Sequence, residues 1–399
     1  MTKIAILGSG LMGPAAAWNA LNDPEVTEVL LCDRAPNALE AGRRKLSGQP
    51  GAEKLTPVLL NLADPEAAGQ RLTGCAAAVS ALPHGTSALA IRAALRAGVP
   101  LVDLARPAAD QLPSLRQEVT AAGGLAILGC GVEPGLTEIM ARYLAEQLDH
   151  VDEVHIQCGG IPEEPAPPLG YKIVFGGDAL PLHEADAMVV KDGQLEPVPR
   201  YSGVEPTSYP GVGECEAWHE GFMPWLLELP PLQGLRRGTQ KTVRWPGYAA
   251  RVTVLKELGL LSREPVLVQD VPVVPKRLLD RVLYPHVRMA EGDRDITVLR
   301  VVVSGEKAGR PRRYQVEMVD RYDPVLGFTS MARTTAFSGA IVARMIARGE
   351  LRAVGAIPPE QVISGPLLVR LVEELAQLGV HFALQLEKST SLEQALQEF

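Results

Sequence analysis

Cysteine is scarce in this sequence: Cys32, Cys75, Cys130, Cys158 and Cys215 are the only five. The count is odd and no pair has the CxxC spacing, which excludes a disulfide framework and a zinc site and leaves no metal to expect. Such usage fits a reducing cytoplasm, where the protein is expected to reside. Long apolar runs are missing too. No stretch reaches eighteen apolar residues, so no membrane span is expected, and the run at 4–7 is too short for a secretory signal. Positive charge is outweighed, with 39 Lys and Arg against 47 Asp and Glu for a net charge of −8. With no basic cluster large enough to neutralise phosphates, a nucleic-acid partner is excluded, and the arginines at 236–237 and 310–313 read as solvated loops.

What is present begins at the first residues. The apolar run Ile4-Ala5-Ile6-Leu7 meets Gly8-Ser9-Gly10-Leu11-Met12-Gly13, and an alanine-rich stretch, 14–21, follows. A strand, a glycine turn and a helix in that order form a dinucleotide site. Gly8 allows the tight turn, Gly10 lets backbone N–H groups approach a pyrophosphate, and Gly13 lets the helix lie close to the strand. The helix N-terminus then presents unpaired donors to the phosphates. A second apolar run ends at Asp33, twenty residues after Gly13, where a carboxylate accepts from the ribose hydroxyls. That favours NAD; Arg34 next to it leaves NADP open, since a guanidinium can hold a 2′-phosphate.

Alternation of helix and strand continues, with helices at 38–46, 65–72, 86–97 and 113–122 and strands at 56–60, 76–80, 99–103 and 125–128, the pattern of a doubly wound parallel sheet. The strand at 76–80 runs into Ala81-Leu82-Pro83-His84-Gly85, a loop expected beside the nicotinamide at the switch point of the sheet. Asp103 ends its strand at the same edge as a candidate contact to substrate or cofactor, or as a turn cap. From about 151 the alternation breaks down. Strands at 266–274, 296–304 and 314–320 and a helix at 248–258 suit an α+β domain, with 298–303 read as an interior strand and a dimer face. Amphipathic helices at 334–348 and 366–378 are expected to fold back on the first domain. The expected division is 1–128 for nucleotide binding, 129–328 for substrate binding and dimerisation, and 329–399 for the returning helices. The partners expected are a small amino-acid substrate and at least one further copy of the chain, as a homodimer or larger homo-oligomer.

Several further motifs are more specific than the glycines: Cys130-Gly131-Val132-Glu133-Pro134-Gly135, Gly159-Gly160-Ile161-Pro162, Pro168-Leu169-Gly170-Tyr171-Lys172, Arg244-Trp245-Pro246-Gly247-Tyr248 and Met331-Ala332-Arg333-Thr334-Thr335-Ala336. With these, the sequence resembles the saccharopine dehydrogenase family over nearly its whole length. The resemblance implies a Rossmann domain carrying an α+β domain, with the final helices returning to the first. Within the family, Glu214-Cys215-Glu216-Ala217-Trp218-His219 is similar to the lysine 6-dehydrogenase pattern. That implies NAD(P)-dependent oxidation of L-lysine at its ε-amine, giving an imine, then a semialdehyde that cyclises, with release of ammonia. Two other readings stay open: a saccharopine-type reductase, which needs further cations for a second carboxylate, and an NAD(P)H-binding sensor without turnover.

An ω-amine substrate needs a base to neutralise its ammonium. His219 and His84 are the candidates, histidine being tuned to neutral pH, and Lys172 is a third if burial lowers its pKa. The planar fork that suits a carboxylate makes Arg244 the first choice and Arg106 the second. Asp103 or Glu133 would hold the α-amino group. Family similarity places Tyr171 and Trp218, together with Phe175, around the methylenes. Gly8, Ser9, Gly10, Leu11, Met12, Gly13, Asp33, Arg34, Ala81, Leu82 and Pro83 are the expected cofactor contacts.

Overall fold

The computed structural model describes residues 2–175, 177 and 179–388. The chain forms two compact units. One is built from Met1–Leu136, Ile173–Gly177 and Arg321–Val380, the other from Thr137–Lys172, Asp178–Asp320 and the chain from His381 on.

The first unit holds a seven-stranded sheet, parallel throughout, in the order Gly355–Ile357, Leu125–Leu128, Leu101–Asp103, Ala77–Ser80, Thr2–Leu7, Val26–Asp33, Leu55–Leu59. The order reverses direction at Thr2–Leu7, which puts the carboxyl ends of Thr2–Leu7 and Ala77–Ser80 side by side at the switch point. Helix Gly13–Leu21 is buried along its whole length. It packs on the sheet side by side with the returning helix Ser330–Ala347, which itself touches Thr2–Leu7, Ala77–Ser80 and Leu101–Asp103, and Trp18 stacks on Phe337 with ring centroids 5.4 Å apart.

Ser330–Ala347 begins four residues before the expected start because the Thr329 hydroxyl accepts from the Ala332 N–H at 3.2 Å and caps it. Glycine sets its approach to the sheet: a Cβ on Gly339 would lie 2.2 Å from Leu104 Cδ2. A buried ion network then fixes it. Arg344 donates to Asn19 at 3.1 Å, to Asp23 at 2.9 Å and to Glu374, while Arg348 also meets Asp23. Helix Pro366–Gln377, which carries Glu374, packs against Ser330–Ala347. The strand Gly355–Ile357, between the two helices, was not legible in the sequence and extends the parallel sheet.

The second unit is organised on a nine-stranded mixed sheet. Its main path runs Glu205–Tyr209, Gly213–His219, Arg237–Arg244, His150–Pro162, Asp295–Lys307, Arg310–Arg321, Ala383–Lys388. One point differs from expectation and one agrees. The stretch 298–303 is an interior strand as expected, with Val298, Leu299, Val301 and Val303 at 0% exposure, while Arg300 and Val302 line an open cavity on the sheet. The run 266–274 is not one strand but a hairpin, Val266–Val268 with Val271–Val273, followed by helix Pro275–Val287. Past 380 the chain leaves the first unit and pairs Ala383–Lys388 with Arg310–Arg321.

Among the described residues no helix is long and apolar enough to cross a membrane, and no three His, Cys, Asp or Glu side chains converge as a metal site. The five cysteines are buried, and none is in a disulfide.

Candidate active site

The nucleotide site lies in the first unit, at the switch point. Gly8 has φ +103, and a Cβ there would stand 2.6 Å from the Ala81 carbonyl oxygen, so the turn and the loop 81–83 pack backbone on backbone. The Gly8 N–H donates to the Cys32 carbonyl at 2.7 Å, and Ala81 N–H donates to the Leu7 carbonyl at 2.8 Å. A Cβ on Gly13 would fall 1.8 Å from the Gly8 carbonyl oxygen. Gly10 differs: it is exposed, and a Cβ on it would meet no atom within 4 Å. The helix behind it starts at Gly13 with no side-chain cap on its first N–H groups. An open cradle beside an uncapped helix N-terminus is the donor set a pyrophosphate requires, and the residues fit a dinucleotide.

Asp33 does more than await a ribose. Its Oδ2 accepts from the Ser9 N–H at 2.8 Å and its Oδ1 from the Ala35 N–H at 2.9 Å, tying the glycine turn to the second strand. The Ser9 hydroxyl donates to the Ala38 carbonyl at 2.9 Å. Leu11, at 43% exposure, and the exposed Arg34 flank this corner, and Met12 is half-buried. Leu82 is half-buried and Pro83 exposed; His84 follows, exposed, in the short 3-10 turn His84–Thr86.

In the second unit a buried aromatic cluster surrounds one guanidinium. Arg244 ends the strand Arg237–Arg244, is 4% exposed, and stands 4.7 Å from the Tyr171 ring centroid and 5.7 Å from that of Tyr248. Trp218 stacks on Tyr248 with centroids 6.0 Å apart and the planes 7° from parallel, and Tyr201 packs on Trp218 at 4.8 Å. Burial raises the phenols of Tyr248 and Tyr201 far above their usual range, so both are neutral donors. Arg244 Nη1 donates to the Val243 carbonyl at 2.8 Å, while its buried Nε and the buried Trp218 Nε1 have no hydrogen-bond partner. Unpaired buried donors of this kind cost free energy unless a ligand meets them.

Glu216 closes the cluster from below: its carboxylate accepts from Gly247 N–H at 2.7 Å and Ala249 N–H at 2.6 Å, capping helix Tyr248–Glu257. Glu220, which pairs with Arg200 and accepts from Thr242 at 3.3 Å, is the nearby carboxylate.

Two family models match this chain, the saccharopine dehydrogenase NADP binding domain over 4–126 and the saccharopine dehydrogenase C-terminal domain over 131–380. The chain belongs to the saccharopine dehydrogenase family. It is therefore an NAD(P)-binding oxidoreductase of the saccharopine dehydrogenase type. It is 22% identical to carboxyaminopropylagmatine dehydrogenase of Synechocystis over 94% of this chain and 96% of that one. Against carboxynorspermidine synthase of Vibrio cholerae identity is 24%, over 64% of this chain and 62% of the relative. The fold matches that of apo saccharopine dehydrogenase (L-Glu forming) from Saccharomyces cerevisiae, with a TM-score of 0.78 and 18% identity, covering 97% of this chain and 100% of that one.

Within this saccharopine dehydrogenase fold the expected site residues part company. Tyr171, Trp218 and Arg244 come together. His219 does not join them. It pairs with Lys241 across the strands while Trp218 pairs with Thr242, and side chains alternate between faces, so His219 stands on the side opposite Trp218 and Arg244. There it lies against Gly203, and burial first and the Lys241 charge second lower its pKa.

Lys172 pairs with Asp293 at 3.1 Å and donates to the Arg288 carbonyl at 3.2 Å, away from the contacts that build the Arg244 cluster. Asp103 is 0% exposed; its Oδ1 accepts from the Ala105 N–H at 3.2 Å, and the hydroxyls of Ser80 and Ser87 lie beside it. It caps the turn after its strand, and burial raises its pKa. Glu133 and Arg106 are half-buried in the first unit, as is Phe175, so Phe175 does not share a unit with Tyr171. Tyr201, Tyr248 and Glu216 were missed as site residues; Tyr201, with φ +72, is among the few non-glycine residues in the left-handed region, a backbone state that sites can impose.

Proposed function

We propose that this enzyme oxidises the amine-bearing carbon of an amino-acid substrate, L-lysine at its ε-amine being the first choice, with NAD(P) as hydride acceptor. The observation that carries the reading is the single buried guanidinium of Arg244 in its aromatic box, with an open Nε. A planar fork without a competing carboxylate is a receptor for one substrate carboxylate, and Tyr171, Tyr248 and Trp218 offer apolar faces to an aliphatic chain. Glu220, already paired with Arg200 and Thr242, is the carboxylate that would share its charge with an α-ammonium.

Gly8 to Gly13, Asp33 and the loop 81–83 would hold the cofactor, and with it bound the chemistry supplied is hydride acceptance. The chain's own residues bind and orient. Arg244 and the aromatic faces fix the substrate and exclude water from it. His84, in the loop after Ala77–Ser80, is the proposed base that takes a proton from the substrate ammonium. The imine then hydrolyses, ammonia leaves, and the semialdehyde cyclises with the α-amino group.

A second reading is a secondary-amine substrate bearing a further carboxylate. It is favoured by the relatives named for saccharopine, carboxyaminopropylagmatine and carboxynorspermidine. Purified protein given L-lysine, saccharopine or a carboxyalkyl polyamine, with NAD and with NADP, separates the two by which substrate reduces the cofactor. Turnover on the secondary amines without turnover on lysine overturns the first reading. The substrate is expected to be a small molecule, and the compartment the cytoplasm.

A further inference from the structure

His219 stands outside the Arg244 cluster, on the other face of the strand Gly213–His219, and its buried Nδ1 has no hydrogen-bond partner. The ring packs directly on the backbone of Gly203: a Cβ there would fall 2.2 Å from His219 Nε2 and 2.4 Å from Cδ2. Lys241, the cross-strand neighbour of His219, donates to the Gly203 carbonyl at 2.8 Å. The backbone of the same turn is tied to the strand end, the His219 N–H donating to the Ser202 carbonyl at 3.0 Å and the Tyr201 N–H to the His219 carbonyl at 3.4 Å. The turn begins at Tyr201, held at φ +72, a backbone state that persists only where its surroundings impose it. The Tyr201 ring packs on Trp218 at 4.8 Å. One short turn therefore rests on the His219 imidazole and carries an aromatic ring onto the Trp218 box.

The charges that act on His219 are Lys241, from the strand Arg237–Arg244, and Glu205, from the strand Glu205–Tyr209. They pair with each other at 2.9 Å, and Glu205 also accepts from Gln157 at 2.9 Å, so this carboxylate is engaged elsewhere. Glu220, next in the chain, is taken up by Arg200 and Thr242. A neutral imidazole suits these surroundings. An imidazolium carries two N–H donors and here meets a glycine backbone, a buried nitrogen position without an acceptor, and the Lys241 ammonium. Burial first and Lys241 second accordingly hold the His219 pKa below its ordinary 6.5, against the opposing pull of Glu205. The support that neutral His219 gives is thus fully present above pH 6.5 and is lost as pH falls below it. Protons have a way in, because Lys241 and Glu205 both line an open cavity of about 650 Å³.

We propose that His219 is a positioning residue, which when neutral seats the turn 201–203 so that Tyr201 covers Trp218, and when protonated releases that turn and loosens the substrate box. The part played by the box rests on the reading of Arg244, Tyr171, Tyr248 and Trp218 as the substrate site; the coupling of His219 to Tyr201 does not. Tryptophan fluorescence of the full chain without substrate, titrated from pH 8 to pH 5, is expected to show a transition with its midpoint below 6.5. His219→Phe, His219→Gln and Trp218→Phe are each expected to lack it, the first two because nothing titrates and the third because the reporter is gone. In steady-state kinetics with L-lysine, KM of the wild type is expected to rise on the acid side of the window by at least about fivefold, the lower end of ordinary coupling between two sites. The ratio of wild-type to His219→Phe KM isolates that rise, since titration of His84 or of the substrate is common to both proteins. No transition in the wild type, the same transition in His219→Phe and His219→Gln, or a transition with a KM ratio that does not change with pH would overturn the proposal. Absence of turnover on L-lysine counts against the substrate reading alone, and the fluorescence titration then decides the role of His219.

Discussion

Replacing Gly13 and Gly10 one at a time by alanine separates the two tasks of the glycine turn. In Gly13→Ala the new Cβ would sit 1.8 Å from the Gly8 carbonyl oxygen, where real Cβ atoms essentially never come within 3.0 Å. Both atoms near the clash are backbone, so turn and helix must separate by about 1.2 Å, and misplacement on that scale costs about 100-fold in a positioned site. That loss in cofactor affinity is about 2.7 kcal/mol, and overpacking between strand and helix adds about 1–3 kcal/mol of lost stability.

Gly10→Ala meets nothing within 4 Å and requires no left-handed backbone, so its unfolding free energy should stay within about 0.5 kcal/mol of wild type. Its methyl group nevertheless occupies the open cradle, and cofactor affinity should fall by at least tenfold. Thermal unfolding gives the first quantity and quenching of protein fluorescence by NADH or NADPH gives the second. A Gly10→Ala variant that binds the cofactor as wild type does would refute the assignment of the cradle.

Arg244→Lys keeps the charge but loses the fork and the stacking, and should raise KM for a carboxylate substrate at least tenfold with a smaller effect on kcat, read from steady-state kinetics. His84→Ala should lower kcat about 10²–10⁴-fold at neutral pH, whereas His219→Ala, altering the opposite face of the sheet, should leave kcat unchanged. Asp23 is buried; burial raises its pKa, but the Arg344 hydrogen bond and the Arg344 and Arg348 charges outweigh that and hold it below the usual 3.8. Its contribution to stability is therefore present above pH 3.8 and lost as pH falls through the lower folded value. Asp23→Asn, which leaves two buried guanidinium groups without that partner, should cost about 3–5 kcal/mol at neutral pH in denaturant unfolding.

The glycine turn, its helix and Asp33 could be read from the sequence because their meaning lies in local spacing: strand, turn, helix and acid fall within thirty-three residues. The second tie of Asp33, to the Ser9 N–H, depends on how two strands lie together and has no local signal. The same holds for Glu216 capping a helix through Gly247, thirty-one residues on, and for Lys172 meeting Asp293. His219 is a different case. Trp218 and His219 are neighbours on a strand, and a period of two already places them on opposite faces, so that signal was available. The hairpin was read as one strand because Gln269 and Asp270 turn the chain without a glycine. Its exposure could not be inferred from an apolar composition that equally suits a core.

The most direct test of the account is steady-state reduction of NAD or NADP by the purified enzyme across L-lysine, saccharopine and carboxylated polyamines, with Arg244→Lys run in parallel. The account predicts cofactor reduction by an amine-bearing substrate, greatest with L-lysine, and a raised KM in the variant. Tight cofactor binding with no turnover on any amine would contradict it.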